Sequence, residues 1–125
     1  MINEVSMIIW GREFSLPVEY RIYDNEPVSK EQQNAVDVLS SHPEWVEQTK
    51  NAVEEYCWEQ VIEDADNEKK DNIFSYIKPE YLFVKHEAKP RVAIMCKYRY
   101  DMEHGLAVVF SADGDISIGP QDIIL

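Results

Sequence analysis

Apolar and polar positions alternate in the first part of the chain. Residues 5–10 form an apolar run that predicts a strand, and a short turn at residues 11–13 follows it. Every second position from 14 to 22 is apolar, a period of two that indicates a strand with one buried face. Pro17 lies on the polar face and cannot donate to a ladder. It therefore predicts that this strand lies at a sheet edge or carries a bulge.

A helical pattern follows. Ser29 and Gln32 form a capping-box pattern, which predicts that a first helix begins at Ser29. Pro43 suits the first turn of a second helix, which we expect to run to about Asp64. The apolar stripe of that second helix comprises Val46, Ala52, Val53, Tyr56, Cys57 and Val61. Trp45 and Trp58 lie near the border of this stripe.

Short apolar segments between turn signals predict four more strands. We place them at residues 81–86, 91–100, 106–110 and 116–118. A helical turn is expected before Pro79, Asp113-Gly114 predicts a tight hairpin, and Asp122 is expected to cap a final turn.

The predicted order is β-β-α-α-β-β-β-β. Short connections within each group of strands predict antiparallel hairpins, and a single block of helices predicts packing on one face of the sheet. We therefore expect an α+β fold with a mainly antiparallel sheet. A length of 125 residues fits one domain spanning residues 1–125.

The charge balance narrows the classes of partner. The chain has 24 acidic against 12 basic residues, a formal net charge of −12. Such a surface repels phosphate backbones, so we expect no nucleic-acid partner. The apolar runs are too short for a membrane helix, and the N-terminus has no signal-peptide pattern. The two cysteines form no CxxC pair, and the chain is expected to be cytoplasmic.

The acidic residues are concentrated between positions 44 and 71, where ten acids and three lysines give a net charge of −7. A solvated helix face accounts for this composition. The alternative is a docking surface for a basic protein, with a tryptophan as its apolar anchor. The candidate partner-binding residues are Trp45, Glu54, Glu55, Trp58 and Glu59.

Motifs for common chemistries are missing from the sequence. The four glycines are scattered singly, so there is no phosphate-binding loop, and no GxSxG elbow is present. Cys57 falls within a predicted helix and Cys96 within a predicted strand, and both are expected to be buried, reduced thiols. We expect no cofactor.

The densest polar cluster is the turn at residues 100–105. Asp101, Glu103 and His104 are residue types that hold a metal or act as acid and base, with His42, His86 or Asp122 as a supporting fourth group. A structural turn accounts for the same residues, because Asp accepts backbone N–H groups and Gly105 adopts a positive φ. The sequence favours the structural interpretation and predicts no bound metal.

Two C-terminal segments carry a family resemblance. Residues 98–110 contain an aromatic-Asp-x-Glu-His-Gly turn and an apolar strand, and residues 118–122 read Ile-Gly-Pro-Gln-Asp. This pattern resembles a group of small uncharacterised bacterial domains, as do the early Phe14-Ser15-Leu16 strand, Glu31-Gln32-Gln33 and the later Tyr56-Cys57. At Tyr100 the chain has tyrosine where tryptophan is the more usual aromatic residue.

These domains in turn resemble the immunity proteins of bacterial polymorphic-toxin systems. The resemblance implies an α+β fold, a bacterial source and a protein-binding role, with a toxin as partner. It implies no catalytic residue. The alternatives are a metal-dependent or acid/base enzyme centred on Asp101, Glu103 and His104, and an accessory domain of a larger assembly.

Overall fold

The computed structural model describes residues 4–23, 26–61 and 72–125, excluding the side chains of residues 58–61. The strands are β1 (Glu4–Ile9), β2 (Arg12–Tyr20), β3 (Ile77–Val84), β4 (Val92–Tyr98), β5 (Leu106–Phe110) and β6 (Ile116–Gly119). The helices are α1 (Lys30–Ser40), α2 (Pro43–Glu47) and α3 (Thr49–Val61), and two 3-10 turns span Ile73–Ser75 and Gln121–Ile123. None of the helices in these ranges is long and apolar enough to cross a membrane.

The six strands form one sheet in the order β1-β2-β3-β4-β5-β6. Four of the five neighbouring pairs are antiparallel, whereas β2 and β3 run parallel. The parallel pair follows from the helices between these strands, which return the chain to the end of the sheet where β2 began. The predicted α+β fold with a mainly antiparallel sheet is confirmed.

The three helices pack on one face of the sheet. Val36, Leu39, Val46 and Val53 of the helices join one core cluster with the strand side chains of that face. The helix-facing residues of the central strands are Leu82, Val84, Val92, Ile94, Cys96, Leu106, Val108 and Phe110. The opposite face is also buried, with Phe83, Ala93, Met95, Ala107 and Val109 clustered around Ile124 of the C-terminal segment.

Pro17 predicted a sheet edge or a bulge; the edge position is wrong, and neither ladder of β2 has a register shift at Pro17. β2 lies between β1 and β3, and its pairing changes partner along its length. The ladder with β1 ends at Pro17, and the ladder with β3 begins at Val18. Proline therefore lies at the point where one ladder gives way to the next. The predicted burial of Ile22 is also wrong: β2 ends at Tyr20, and Ile22 beyond it is 51% exposed.

The predicted single second helix is divided into α2 and α3 at Gln48. The hydroxyl of Thr49 donates to the carbonyl of Val46 at 2.6 Å and accepts from the indole N–H of Trp10 at 3.0 Å. A side-chain bond to the carbonyl three residues earlier competes with helical pairing, which gives a physical reason for the division. The expected end near Asp64 lies outside the described residues.

Several local predictions agree with the structure, and two need correction. The Ser29–Gln32 capping box is present in full, and Pro43 occupies the first turn of α2. β3 begins at Ile77 rather than at residue 81, because Ile77 already pairs with Tyr98 of β4. Asp122 lies inside the last 3-10 turn and does not cap it, because Pro120 occupies the capping position.

Candidate functional site

A groove of about 270 Å³ opens between α1, α2 and one end of the central strands. Its lining comes from α1, from Trp45 of α2, from the β3–β4 loop and from the β5–β6 hairpin, with Val92 and Phe110 from the strands. The lining residues are Glu31, Asn34, Ala35, Val38, Leu39, Trp45, Ala88, Lys89, Pro90, Val92, Phe110, Ser111, Ala112 and Asp113. We call this surface the Trp45 groove.

The sequence of α1 explains why it offers an apolar wall. Glu31, Ala35 and Val38 recur at spacings of four and three, which places them on one side of the helix. Gln32, Val36 and Leu39 are shifted by one position and are buried in the core. Ala35 and Val38 are half-buried and line the groove. The apolar surface of α1 therefore extends beyond the residues that are buried in the core.

Trp45 is held at the groove by neighbours on both sides. Its ring stacks on the imidazole of His42 with centroids 4.2 Å apart and an interplanar angle of 7°. Gly114 of the β5–β6 hairpin approaches the ring so closely that a Cβ atom there would lie 2.9 Å from Trp45 Cε2. His42 is oriented in turn by Glu44, whose Oε1 lies 2.8 Å from His42 Nδ1. The half-buried indole is thus fixed rather than free to turn.

Acidic side chains dominate the rim of the Trp45 groove. Glu31 on α1 and Asp113 on the hairpin are exposed, and both line the groove. Lys89 is the one basic residue among the lining side chains. An apolar floor together with two carboxylates suits an apolar group with positive charge beside it, because such a ligand buries the floor and neutralises the rim.

The predicted partner-binding residues are not brought together at this groove. Trp45 lines it, whereas Glu54 and Glu55 are absent from its lining. Glu54 is half-buried and Glu55 is exposed on α3, a helix that packs against β6. Trp58 and Glu59 lie in the last turn of α3, and their side chains are outside the described residues.

Two acids of the predicted docking segment have local structural contacts. The hydrogen bond from His42 lowers the pKa of the Glu44 carboxyl below its usual value. Glu47 Oε1 accepts the backbone N–H of Gly11 at 3.1 Å and so links α2 to the β1–β2 turn. These contacts show that part of the acidic segment stabilises the fold.

The turn around Asp101 is closed by its own side chains. Asp101 Oδ1 accepts the backbone N–H of His104 at 3.2 Å and lies 3.1 Å from His104 Nδ1. The N–H of Gly105 donates to the carbonyl of Asp101 at 2.9 Å, and Gly105 has a φ of 62°. The bond from the His104 backbone lowers the pKa of Asp101, and the bond with Asp101 raises the pKa of His104.

The same turn is tied to the C-terminal segment. The N–H of Gln121 donates to the carbonyl of His104 at 3.0 Å, and Gln121 Nε2 donates to the carbonyl of Cys96 at 3.1 Å. A Cβ atom on Gly105 would lie 2.8 Å from Gln121 Nε2. The turn and the Ile-Gly-Pro-Gln-Asp segment of the sequence motif therefore meet in space and support each other.

The proposed fourth groups for a metal or acid/base site lie in different places. His42 stacks on Trp45, and His86 Nε2 lies 3.4 Å from Glu26 Oε2. Asp122 is near enough to His104 to contribute to its raised pKa, and Glu103 is exposed. Within residues 4–23, 26–61 and 72–125, no group of three His, Cys, Asp or Glu side chains is arranged to hold a metal ion.

Both cysteines are free and buried, as the sequence predicted. Burial raises the pKa of the Cys57 thiol to about 11 and that of Cys96 further. The hydroxyl of Tyr98 donates to the Cys57 carbonyl at 3.3 Å, which joins β4 to α3. Neither thiol is available as a thiolate nucleophile near neutral pH.

Two features of the site were missed in the sequence. Gln32 was identified as a capping residue, but its Nε2 also donates to the Arg21 carbonyl at 2.8 Å, which fixes α1 against the end of β2. The groove itself depends on Pro90 and Phe110, which lie far from α1 in the chain. The one feature of the sequence that could have indicated this groove is the pair of apolar positions 35 and 38, because they widen the apolar stripe of α1.

Comparisons with known proteins give a family but no activity. A family model described as "Domain of unknown function (DUF6985)" matches residues 3–125. No curated protein matches the chain. No solved structure matches it either.

Proposed function

The chain belongs to the DUF6985 family, a domain of unknown function, and we propose that it is a non-catalytic domain that binds a basic protein. The observation that carries this proposal is the Trp45 groove, where an indole stacked on His42 and a largely apolar lining occur together with the exposed acids Glu31 and Asp113. Aromatic anchors in partly desolvated pockets dominate the energetics of many protein interfaces. The net charge of −12 favours a partner of opposite sign.

The proposed partner is a bacterial toxin, and the proposed role is that of an immunity protein in the bacterial cytoplasm. The support is the resemblance of the 98–110 and 118–122 segments to small bacterial domains of that kind. A nuclease toxin fits the charge argument, because a surface that accepts phosphate is basic. Such a partner would be attracted over several ångströms before any contact forms.

The long-range part of this attraction resides on α3 as well as on the groove. Glu55 is exposed and Glu54 half-buried on α3, in the segment with the highest density of acids. Exposed charges of this kind raise the rate of association and are screened by salt. The groove provides the desolvated contact, whereas α3 provides part of the field.

The enzyme alternative has weaker support from the geometry. Asp101 uses its carboxylate to accept the His104 N–H and to orient the His104 ring, and both residues are thereby engaged within the turn. A general base needs to reach a substrate proton, which requires a substrate cleft beside it. His104 does not line the Trp45 groove.

The experiment begins with the isolation of a partner from a bacterial host that carries the gene. The immobilised wild-type domain captures proteins from that host, and calorimetry then measures the affinity of the purified partner. The measurements are made at about 0.1 M and about 1 M salt, between which the Debye length falls from ~10 Å to ~3 Å. We expect a basic partner whose association weakens as salt rises.

A pair of matched charge variants locates the interaction. The test variant reverses the charge of two acids on α3 and combines Glu54→Lys with Glu55→Lys. The control variant makes the same change of charge on β1 and β2 and combines Glu4→Lys with Glu13→Lys, where both residues are exposed. We expect the α3 variant to weaken binding at least about tenfold at low salt, or ~1.4 kcal/mol, and the β1–β2 variant to weaken it less. A partner with an acidic surface, or one indifferent to salt, would contradict the proposal.

A further inference from the structure

We propose that the Trp45 groove receives a single bulky apolar side chain of the partner, presented by an extended segment with lysine or arginine on both sides. This inference rests on the proposed function, because it names the part of a basic protein that the groove recognises. It assigns the anchor to a site whose lining does not include Glu54 or Glu55 of α3.

The dimensions and lining of the groove favour a side chain over a cofactor. Its volume of about 270 Å³ falls below the range of ~300–1,000 Å³ that is typical of clefts enclosing drug-sized ligands. The floor consists of buried side chains, among them Leu39, Val92 and Phe110. A phosphate-bearing ligand is disfavoured, because Glu31 and Asp113 on the rim repel it.

Charge complementarity argues for basic residues on both sides of the anchor. Glu31 of α1 and Asp113 of the β5–β6 hairpin line the groove from different elements, two carboxylates against the single base Lys89, so a segment that spans the groove from α1 to the hairpin passes a carboxylate on each element. Glu44 adds an exposed carboxylate next to Trp45. Each carboxylate suits a lysine or arginine that remains at the solvent-exposed rim, where a pair adds specificity more than affinity.

The shape of the surrounding surface argues for an extended segment. A second hollow, lined by Ser29, Glu31, His86, Glu87 and Ala88, shares Glu31 and Ala88 with the Trp45 groove. The concave surface therefore continues along the β3–β4 loop to His86. There the imidazole of His86 contacts the Tyr23 ring edge-on, with the ring centroids 4.9 Å apart, and Tyr23 is 53% exposed.

This second aromatic position is also acidic. Glu26 Oε2 lies 3.4 Å from His86 Nε2, and its side chain is 59% exposed. A segment that leaves the groove past Glu31 thus meets an exposed tyrosine next to an exposed carboxylate. The Trp45 groove and the surface around Tyr23 thus both combine an aromatic side chain with negative charge.

The direct test uses synthetic peptides rather than an unidentified partner. The probes are blocked pentapeptides with leucine, phenylalanine or tryptophan between two lysines on each side, and the controls have alanine at the centre or glutamate in place of lysine. Binding to the complete isotope-labelled chain is followed by NMR at up to millimolar peptide concentration. We expect saturable shifts of the Trp45 indole and the Gly114 amide, with the alanine-centred peptide at least tenfold weaker than the best probe.

Variants separate the anchor from the charge. Val38→Glu places a carboxylate on the groove wall, so it blocks the apolar site while it makes the chain more acidic. We expect this variant to lose the preference for a bulky central residue, with retained folding checked by circular dichroism. Ala35→Met, which fills the groove without a charge, is expected to act in the same way. Glu54→Lys with Glu55→Lys leaves the groove intact and is expected to retain the preference.

Several outcomes would overturn the proposal. One is that alanine-centred and leucine-centred peptides bind with equal affinity. Another is that the NMR shifts caused by the peptides are confined to surfaces away from Trp45. A third is that Val38→Glu and Ala35→Met both keep the full preference for a bulky central residue. Shifts of the groove signals on concentration of the chain alone would show that a second copy covers the groove. If no peptide binds but a captured partner is sensitive to the α3 acids, this inference fails while the proposed function stands. If a peptide binds at the groove but no partner is captured, the result supports the groove as the site of an apolar anchor and counts against the proposed function.

Discussion

Gly114 of the β5–β6 hairpin packs directly against the indole ring of Trp45 of α2. The ring atoms Cε2 and Cζ2 of Trp45 would lie 2.9 and 3.0 Å from a Cβ atom on Gly114. Contacts this short do not occur for real side chains, so glycine at position 114 is a condition for the observed position of the indole. Gly114 also has a φ of 88°, which the hairpin turn requires.

We therefore expect Gly114→Ala to lower the free energy of unfolding by more than about 1 kcal/mol, through both backbone strain and displacement of Trp45. Gly11→Ala is the matched control, because Gly11 has a similar φ of 84° but no atom within 4 Å of a Cβ atom. Urea unfolding of both variants measures the difference. Equal losses would show that the Trp45 contact does not constrain this position.

Gly105→Ala is expected to destabilise the fold more than Gly11→Ala. Its Cβ atom would lie 2.9 Å from the carbonyl oxygen of Cys96, a backbone atom of β4 that has little freedom to move. The Gln121 side chain stands equally close but is more adaptable. We expect the loss from Gly105→Ala to shrink in a Gln121→Ala background without disappearing. An unchanged unfolding midpoint for Gly105→Ala would contradict the structural role of this turn.

Titration of His104 tests the pairing inside the turn. The bond with Asp101 raises the pKa of His104 above 6.5, so its stabilising contribution is complete below that value and is lost as pH rises through the folded pKa. We expect NMR titration to give a pKa above 6.5 for His104 and a lower one in Asp101→Asn. Asp113→Asn, on another hairpin, is the control and should leave the titration unchanged. A His104 pKa that is insensitive to Asp101→Asn would exclude the pairing in solution.

Gln32→Leu is expected to be among the more damaging changes outside the apolar core. The side chain has no exposed surface, and its Oε1 accepts the Ser29 N–H while its Nε2 donates to the Arg21 carbonyl. Leucine leaves both backbone groups without these partners, for which we expect a loss of about 2 kcal/mol or more. Gln33→Leu changes the exposed neighbour on α1 and should have little effect on denaturant stability. Similar losses for the two variants would argue against the role of Gln32.

The local elements of this protein follow directly from its sequence. The Ser29–Gln32 capping box, the Pro43 helix start, the Asp113-Gly114 hairpin and the alternation in the strands each depend on residues within a few positions of one another. The buried cysteines and the α+β fold class were predictable for the same reason, because short-range patterning decides which faces are apolar.

Tertiary structure decided the features that join distant segments. The change of ladder at Pro17, the bond from Trp10 in the β1–β2 turn to Thr49 of α3 and the attachment of Gln32 to Arg21 each depend on partners at least 11 positions away. The Trp45 groove likewise exists because α1, Trp45 of α2, Pro90 and the β5–β6 hairpin converge from four parts of the chain. Hydrophobic burial is non-directional, so a pattern identifies the apolar surface of each element but not the neighbour that covers it or leaves it open.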